Sequence, residues 1–102
     1  MIVVTGAVRA RPETFDALKA ACIAHSQHSR AEPGCLSHNV HIDAEDPLRL
    51  FFFELWVDRT ALETHFRDPS ANAFMKTARA LAESTEGPDL LEAELPKTRS
   101  SS

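Results

Sequence analysis

Residues 50–66 read LFFFELWVDRTALETHF, and the first half of this stretch decides how the chain must fold. Successive side chains of a strand point to opposite faces. One set here is Leu50, Phe52, Glu54 and Trp56, and the other is Phe51, Phe53, Leu55 and Val57. Both sets are apolar apart from Glu54, whereas an antiparallel sheet covered on one side normally shows polar side chains on the other. The second apolar face therefore predicts a homodimer that packs sheet against sheet.

The sequence on either side of this strand carries the signals of three further strands and of the helices between them. Proline, glycine and capping residues mark the boundaries, as at Pro12, at the turn EPGC, at Asp58 or Thr60, and at Asp68 with Pro69. The predicted elements are a strand at 2–9, a helix from Pro12 to about Ser29, a strand at 36–43, a turn at 44–47, the strand that starts at Leu50, a short helix after Asp58, a helix from Pro69 that stops at Gly87, and a strand at 89–95.

This order of elements predicts an α+β fold of the ferredoxin-like βαββαβ type, an antiparallel sheet with helices on one face. A chain of 102 residues has the size of one domain. We therefore predict a single domain over residues 1–95. The remaining residues 96–102, PKTRSSS, are predicted to form a disordered C-terminal tail because they are polar and few.

The composition excludes several classes of partner. A formal net charge of -4 is wrong for wrapping nucleic acid, so none is expected as a partner. No apolar run is long enough to span a membrane, and the first residues lack the features of a signal peptide. Both observations predict a cytoplasmic protein without a membrane partner.

Cys22 and Cys35 form no disulfide framework and are expected to be buried free thiols.

No cofactor and no metal ion are predicted. His38 and His41 are three residues apart on a strand and point to opposite faces, so they cannot chelate one ion together. His25 and His28 are neighbours on a helix, but no third ligand is evident on their face. The three glycines are scattered, so no phosphate-binding loop or dinucleotide fingerprint exists.

Three side chains of the opening stretch are candidates for chemistry. Glu54 shares a strand face with Trp56, and His65 lies on the helix that packs back over the sheet. Each also has a purely structural interpretation: Glu54 as a satisfied anchor, Trp56 as a core aromatic and His65 as a packed core histidine. A carboxylate in an apolar strand needs a partner. We expect an arginine, a histidine or backbone N–H groups as this partner, for example the helix carrying His65 or an arginine across the dimer.

The turn Glu32–Leu36, the pair Asp46 and Pro47, and the pattern E-x-W followed by A-L-x-x-H identify a resemblance. The last pattern consists of Glu54, Trp56, Ala61, Leu62 and His65. Together they resemble the antibiotic biosynthesis monooxygenase family, including its small quinol monooxygenase members. The resemblance implies a ferredoxin-like subunit that dimerises through its sheet into a dimeric α/β barrel, with a pocket between sheet and helices.

The resemblance also implies an activity: cofactor-free oxidation of a small quinol or polycyclic phenol by O2. His65 would then be base or donor, Trp56 a donor and ring wall, and Glu54 the orienting acid. The expected substrate contacts are His38, Phe52, Leu62 and Phe74. Two alternatives remain open: a non-catalytic dimer that binds a small hydrophobic ligand, and an isomerase or haem-degrading enzyme of the same fold.

Overall fold

The computed structural model describes residues 1–96, which form one sheet and a layer of helices. The strands and helices are β1 (Ile2–Ala10), a 3-10 turn (Pro12–Thr14), α1 (Phe15–Arg30), β2 (Cys35–Asp43), β3 (Asp46–Trp56), α2 (Arg59–Arg67), α3 (Pro69–Leu81) and β4 (Ala82–Glu92). The four strands are ordered β2-β3-β1-β4, and every neighbouring pair is antiparallel. This arrangement confirms the predicted α+β ferredoxin-like fold.

The inner face of the sheet, which the helices cover, is the face that carries Glu54. In the register of the strands Glu54 lies opposite Val4 of β1 and His38 of β2. Leu50, Phe52 and Trp56 of the same face are buried against the helices. Helix α1 contributes its buried stripe, in which Leu18 and Cys22 are fully enclosed, as the spacing of apolar residues predicts. The core of the domain therefore lies between this face and the helices.

Two aspartates start the helices that place the site. Asp58 caps α2 by accepting a hydrogen bond from the backbone N–H of Ala61 at 2.9 Å, and Asp68 caps α3 by accepting one from Ser70 at 2.8 Å. Pro69 occupies the first turn of α3, where its missing N–H is not needed. The cap at Asp58 fixes where α2 begins, and α2 places His65 on its buried side.

The turn between α1 and β2 depends on Gly34. Its φ of +84° lies in the left-handed region, and an added Cβ would stand 2.4 Å from the Cβ of Ala61 on α2. Because α2 packs directly on this glycine, the turn that contains Glu32 is held against the helix that carries His65.

The last strand differs from the prediction. We expected the helix from Pro69 to continue to Gly87 and the strand to occupy 89–95, but α3 ends at Leu81 and β4 starts at Ala82. The residues after Ala82 show no apolar alternation, because β4 is an edge strand whose side chains are mostly exposed. Pairing with β1 therefore determines their conformation, with Ala82 opposite Ala10 and a register shift near Gly87.

Two smaller findings concern the ends of elements and the tail. β3 begins at Asp46, so the predicted turn at 44–47 is shorter than expected. Residues 97–102 of the predicted tail lie outside the described residues, and the domain boundary at residue 95 stays a prediction. Within residues 1–96, no helix has the length and apolar character needed to cross a membrane.

Candidate active site

A pocket of about 230 Å³ lies between the inner face of the sheet and the helices. Every helix contributes to its wall, as do β1, β3 and the segment around Gly87 of β4. The lining residues that carry functional or aromatic groups are His25, Phe52, Glu54, His65, Phe66, Phe74, Arg79, Thr85 and Glu86. The pocket therefore combines apolar walls with a few polar groups, which is typical of a small-molecule site.

Glu54 is the buried acid of the pocket, and the sheet itself supplies its partners. The indole N–H of Trp56 donates a hydrogen bond of 3.0 Å to Oε1, and Nε2 of His38 lies 3.3 Å from Oε2. Burial acts to raise the pKa of Glu54, but His38 and the Trp56 N–H outweigh this effect and lower the pKa below its usual value. Glu54 is therefore an ionised carboxylate at neutral pH and a poor proton acceptor.

His65 has a carboxylate partner of its own. Its Nδ1 atom lies 3.0 Å from both carboxylate oxygens of Glu32, at the end of α1. Because an ionised carboxylate only accepts hydrogen bonds, Nδ1 donates, and in the neutral ring Nε2 carries the lone pair. The ring is also packed against the indole of Trp56, with centroids 4.6 Å apart. Glu32 therefore fixes both the tautomer and the orientation of His65.

His25 of α1 completes the polar part of the wall. Its ring stacks on Phe74 with centroids 4.2 Å apart and planes 3° from parallel. Burial, reinforced by the neighbouring His38 and His65 rings, lowers the pKa of His25 to about 4. This imidazole is therefore neutral at physiological pH.

The structure divides the predicted site residues into two groups. Glu54, His65, Phe52 and Phe74 line the pocket. Trp56, His38 and Leu62 are fully buried behind it, so they contact the lining residues and not the cavity. Trp56 thus lies where it can orient Glu54, and not where it could form a ring wall for a substrate.

Within the chain the partner of Glu54 is a histidine, one of the expected kinds, but it is His38 of β2 and not His65 of α2. Glu54 contacts Trp56 and His38 within its own sheet, and the acid that holds His65 is Glu32. From the sequence, Glu32 is expected only as part of a turn. The sequence offers one signal for its role. Glu32 immediately precedes Pro33 and Gly34, and the turn that they form packs on the helix carrying His65.

Two further residues of the site were not predicted. The sequence suggests only His28 as a neighbour of His25, since a contact across elements leaves no spacing signal in the sequence. Arg79 lines the pocket from α3, but its position in the sequence shows no motif.

The two thiols are not among the residues that line the pocket. Burial raises the pKa of Cys22 to about 12, so this thiol is unreactive.

Comparison with known proteins places this geometry in a family. The model of the antibiotic biosynthesis monooxygenase family matches residues 1–77. An uncharacterized protein of Synechocystis is 32% identical over 90 residues, which are 88% of this chain and 55% of the relative, so the chain spans about half of that protein's length.

Solved structures agree on the fold. A protein of Deinococcus radiodurans superposes with a TM-score of 0.90 at 23% identity, over 96% of this chain and 97% of its own. A structure described as an antibiotic biosynthesis monooxygenase superposes with a TM-score of 0.84 at 25% identity, over 93% of this chain and 100% of its own. The chain therefore belongs to the antibiotic biosynthesis monooxygenase family.

Proposed function

We propose that this protein is a cofactor-independent monooxygenase that oxidises a small phenol or quinol with O2. The observation that carries the proposal is the pair of His65 and Glu32 at the pocket wall. Glu32 binds Nδ1 of His65, so that Nε2 is the nitrogen available as a base. A carboxylate behind an imidazole is the arrangement that orients a histidine for proton transfer.

The chemistry needs no external reductant. Removing the phenolic proton gives an electron-rich anion, which can pass an electron to O2. In 1-naphthol, for example, the ring C–H para to the hydroxyl would be replaced by a carbonyl oxygen and the hydroxyl would become the second carbonyl. The products are the quinone and water, because the other oxygen atom takes up the two hydrogens lost by the substrate. The substrate supplies all four electrons that reduce O2.

The electrostatics of the pocket support this division of roles. The lowered pKa of Glu54 makes the carboxylate a poor base, so it is assigned the role of a fixed anion that orients a substrate hydroxyl. Arg79 is the cation among the lining residues and would stabilise a phenolate. His65 remains as the group that takes up the proton.

The size and walls of the pocket favour a small aromatic substrate. A volume of about 230 Å³ is below the roughly 300–1,000 Å³ that is usual for drug-sized ligands. Phe52, Phe74 and the stacked His25 ring give aromatic walls. One or two fused rings suit this space better than a large polycyclic phenol or a porphyrin.

We also propose that the protein is a homodimer formed through the outer face of the sheet. This face carries Phe51, Phe53 and Leu55 of β3, and Phe53 remains 37% exposed in the single chain. At one end of the face Arg49 binds Asp43 and Glu86 at 3.0 and 2.9 Å. An apolar centre with a charged rim is typical of a protein interface.

The activity is tested by oxygen consumption with naphthols and dihydroxynaphthalenes. His65→Gln is expected to lower kcat by roughly 10²–10⁴-fold, because general-base catalysis contributes that much. The matched control is His41→Gln, which replaces an exposed histidine of β2 and should leave turnover unchanged.

Unchanged turnover in His65→Gln would refute the proposed base. A wild-type protein whose melting temperature rises with the phenols, but which consumes no oxygen, would instead be the ligand-binding dimer considered above. The cytoplasmic location predicted from the sequence stays a prediction.

A further inference from the structure

Three histidines from three different elements meet beside the pocket: His25 of α1, His38 of β2 and His65 of α2. One ring nitrogen of each lies within 4.8 Å of the others. The ring centroids of His38 are 5.2 Å from those of His25 and 5.7 Å from those of His65. Pairing histidines by sequence spacing could not find this cluster, because the nearest two are 13 positions apart along the chain.

The hydrogen bonds around the cluster resemble those of metal-binding histidines. A histidine ligand usually donates its second ring N–H to a carboxylate or another acceptor, which fixes the ring. Nδ1 of His65 is held in this way by Glu32 at 3.0 Å, and Nδ1 of His38 lies 2.8 Å from Oγ of Ser26. Both rings are thus oriented through one nitrogen, with Nε2 available on the other side.

Nε2 of His38 is an independent indication of a missing ligand. The His38 side chain is fully buried, and this atom has no hydrogen-bond partner within residues 1–96. Oε2 of Glu54 is near, at 3.3 Å, but the contact lacks hydrogen-bond geometry. A buried polar atom without a partner is unfavourable and calls for an explanation. In the tautomer in which Nδ1 donates to Oγ of Ser26, Nε2 carries a lone pair that a bound cation would satisfy.

We propose that His25, His38 and His65 form a binding site for one divalent transition metal ion such as zinc, cobalt or copper. Three imidazoles suit these ions, and the pocket leaves a further coordination position open to water. Tetrahedral bonds of about 2.0–2.1 Å place ligand nitrogens roughly 3.4 Å apart, so small rotations of the rings would close the site. The nearby Glu54 carboxylate supplies compensating negative charge.

The site goes beyond the proposed function, and its test does not depend on turnover. Only its consequence for activity rests on that function: an ion on Nε2 of His65 would occupy the lone pair that the base needs. Metal binding would then inhibit the monooxygenase. Failure of the metal site would leave the cofactor-independent reaction intact, and failure of the reaction would leave the metal site intact.

The experiment titrates the tag-free full chain with Co²⁺ and then with Zn²⁺, following the visible absorption of Co²⁺ and the heat of Zn²⁺ binding. We expect one ion per chain with a dissociation constant on the order of micromolar or below. His25→Phe keeps the aromatic ring that stacks on Phe74 and removes both nitrogens, so it should weaken binding by roughly 100-fold or more. His65→Gln provides a second test should His25→Phe melt at a much lower temperature.

Two controls separate this site from an exposed alternative. His28, Glu32 and Asp68 also place possible ligand atoms within 4.8 Å of one another, near the surface. His28→Ala and His41→Ala should therefore leave affinity and the Co²⁺ spectrum unchanged. Absence of binding by the wild type, or binding that is lost in His28→Ala and retained in both His25→Phe and His65→Gln, would overturn the proposal.

Discussion

The two faces of strand β3 carry neighbouring phenylalanines in opposite environments. Phe52 points to the helices and is 7% exposed, whereas Phe53 points away from them and is 37% exposed. The inner face also holds Glu54 and lies next to the buried histidines. The outer face is apolar in its centre, and its charged side chains lie at one end as ion pairs between Arg9, Arg49 and the acids around them.

The difference shows that the more buried face of this sheet is not the more apolar one. The inner face encloses a carboxylate and histidines although an all-apolar face would pack at least as well, since buried ion pairs are weak contributors to stability. The outer face has the composition of a core, and nothing within residues 1–96 covers it. This contrast agrees with our proposals that the inner face serves chemistry and that the outer face associates with a second copy.

The largest effect is expected from a matched pair of truncations. Phe52→Ala removes a buried ring and should lower the free energy of unfolding by roughly 3–5 kcal/mol. Phe53→Ala removes the same group from the open face and should lower it by only about 1 kcal/mol. Urea denaturation of both variants at low protein concentration measures the difference. Equal losses would mean that Phe53 is as enclosed as Phe52 under those conditions.

A charge on the outer face should have the next largest effect. Phe53→Arg places a cation at the centre of the proposed interface and should raise the dimer dissociation constant by roughly 100-fold, equivalent to about 2.7 kcal/mol. Analytical ultracentrifugation measures this change. Ile23→Arg is the control, since Ile23 is an equally exposed apolar residue on α1, at 39%. A wild type that sediments as a monomer, or an arginine at 53 that leaves the dimer intact, would refute the interface.

Most of the fold could be predicted from the sequence because its signals are local. The alternation in β3, the caps at Asp58 and Asp68 and the stripe on α1 each act within a few residues. The start of β4 could not be predicted, since the polar residues after Ala82 become a strand only through pairing with β1, more than 70 positions away. Local propensity and long-range pairing disagree there, and pairing determines the structure.

The candidate site was predictable only as far as single residues stand out. Glu54 and His65 are conspicuous because each is a polar group among apolar neighbours. Glu32 and His25 are recognised only when α1 and the turn after it are packed against α2, because their partner His65 is distant in the chain. The contacts that orient a functional group are therefore the part of the site that could not be predicted from the sequence.

A smaller effect is expected where a buried hydrogen bond is removed from the inner face. Trp56→Phe keeps an aromatic ring and removes the N–H that binds Glu54 at 3.0 Å. Leaving a buried carboxylate oxygen without this partner should lower the free energy of unfolding by about 1–3 kcal/mol. It should also raise the pKa of Glu54, because the N–H stabilises the charged form.

Stability measured against pH tests both parts of this prediction. A carboxyl with a lowered pKa adds stability above its unfolded pKa, and that stability is lost as the pH falls through the folded value. The difference between wild type and Trp56→Phe should therefore be present at neutral pH and shrink in acid. A difference that is independent of pH would assign the loss to packing of the indole and not to its hydrogen bond.

The smallest effect concerns the rim of the outer face, where Asp46 binds Nε of Arg9 at 2.9 Å. This hydrogen bond lowers the pKa of Asp46, so the ion pair should stabilise the fold above the unfolded pKa of aspartate and lose that contribution in more acidic solution. Asp46→Asn keeps an oxygen for the backbone N–H of Leu48 and replaces the charged oxygen that accepts from Arg9. Because both side chains are about one third exposed and Arg9 also binds Glu83, we expect a small fall in the urea midpoint at neutral pH. The fall should shrink in high salt and vanish well below the unfolded pKa.

Glu13→Gln, in the more exposed pair with Arg11, is the control and should leave the urea midpoint unchanged. A larger loss for Asp46→Asn than for Trp56→Phe would show that the rim, and not the inner network, contributes more of the polar stabilisation of this sheet.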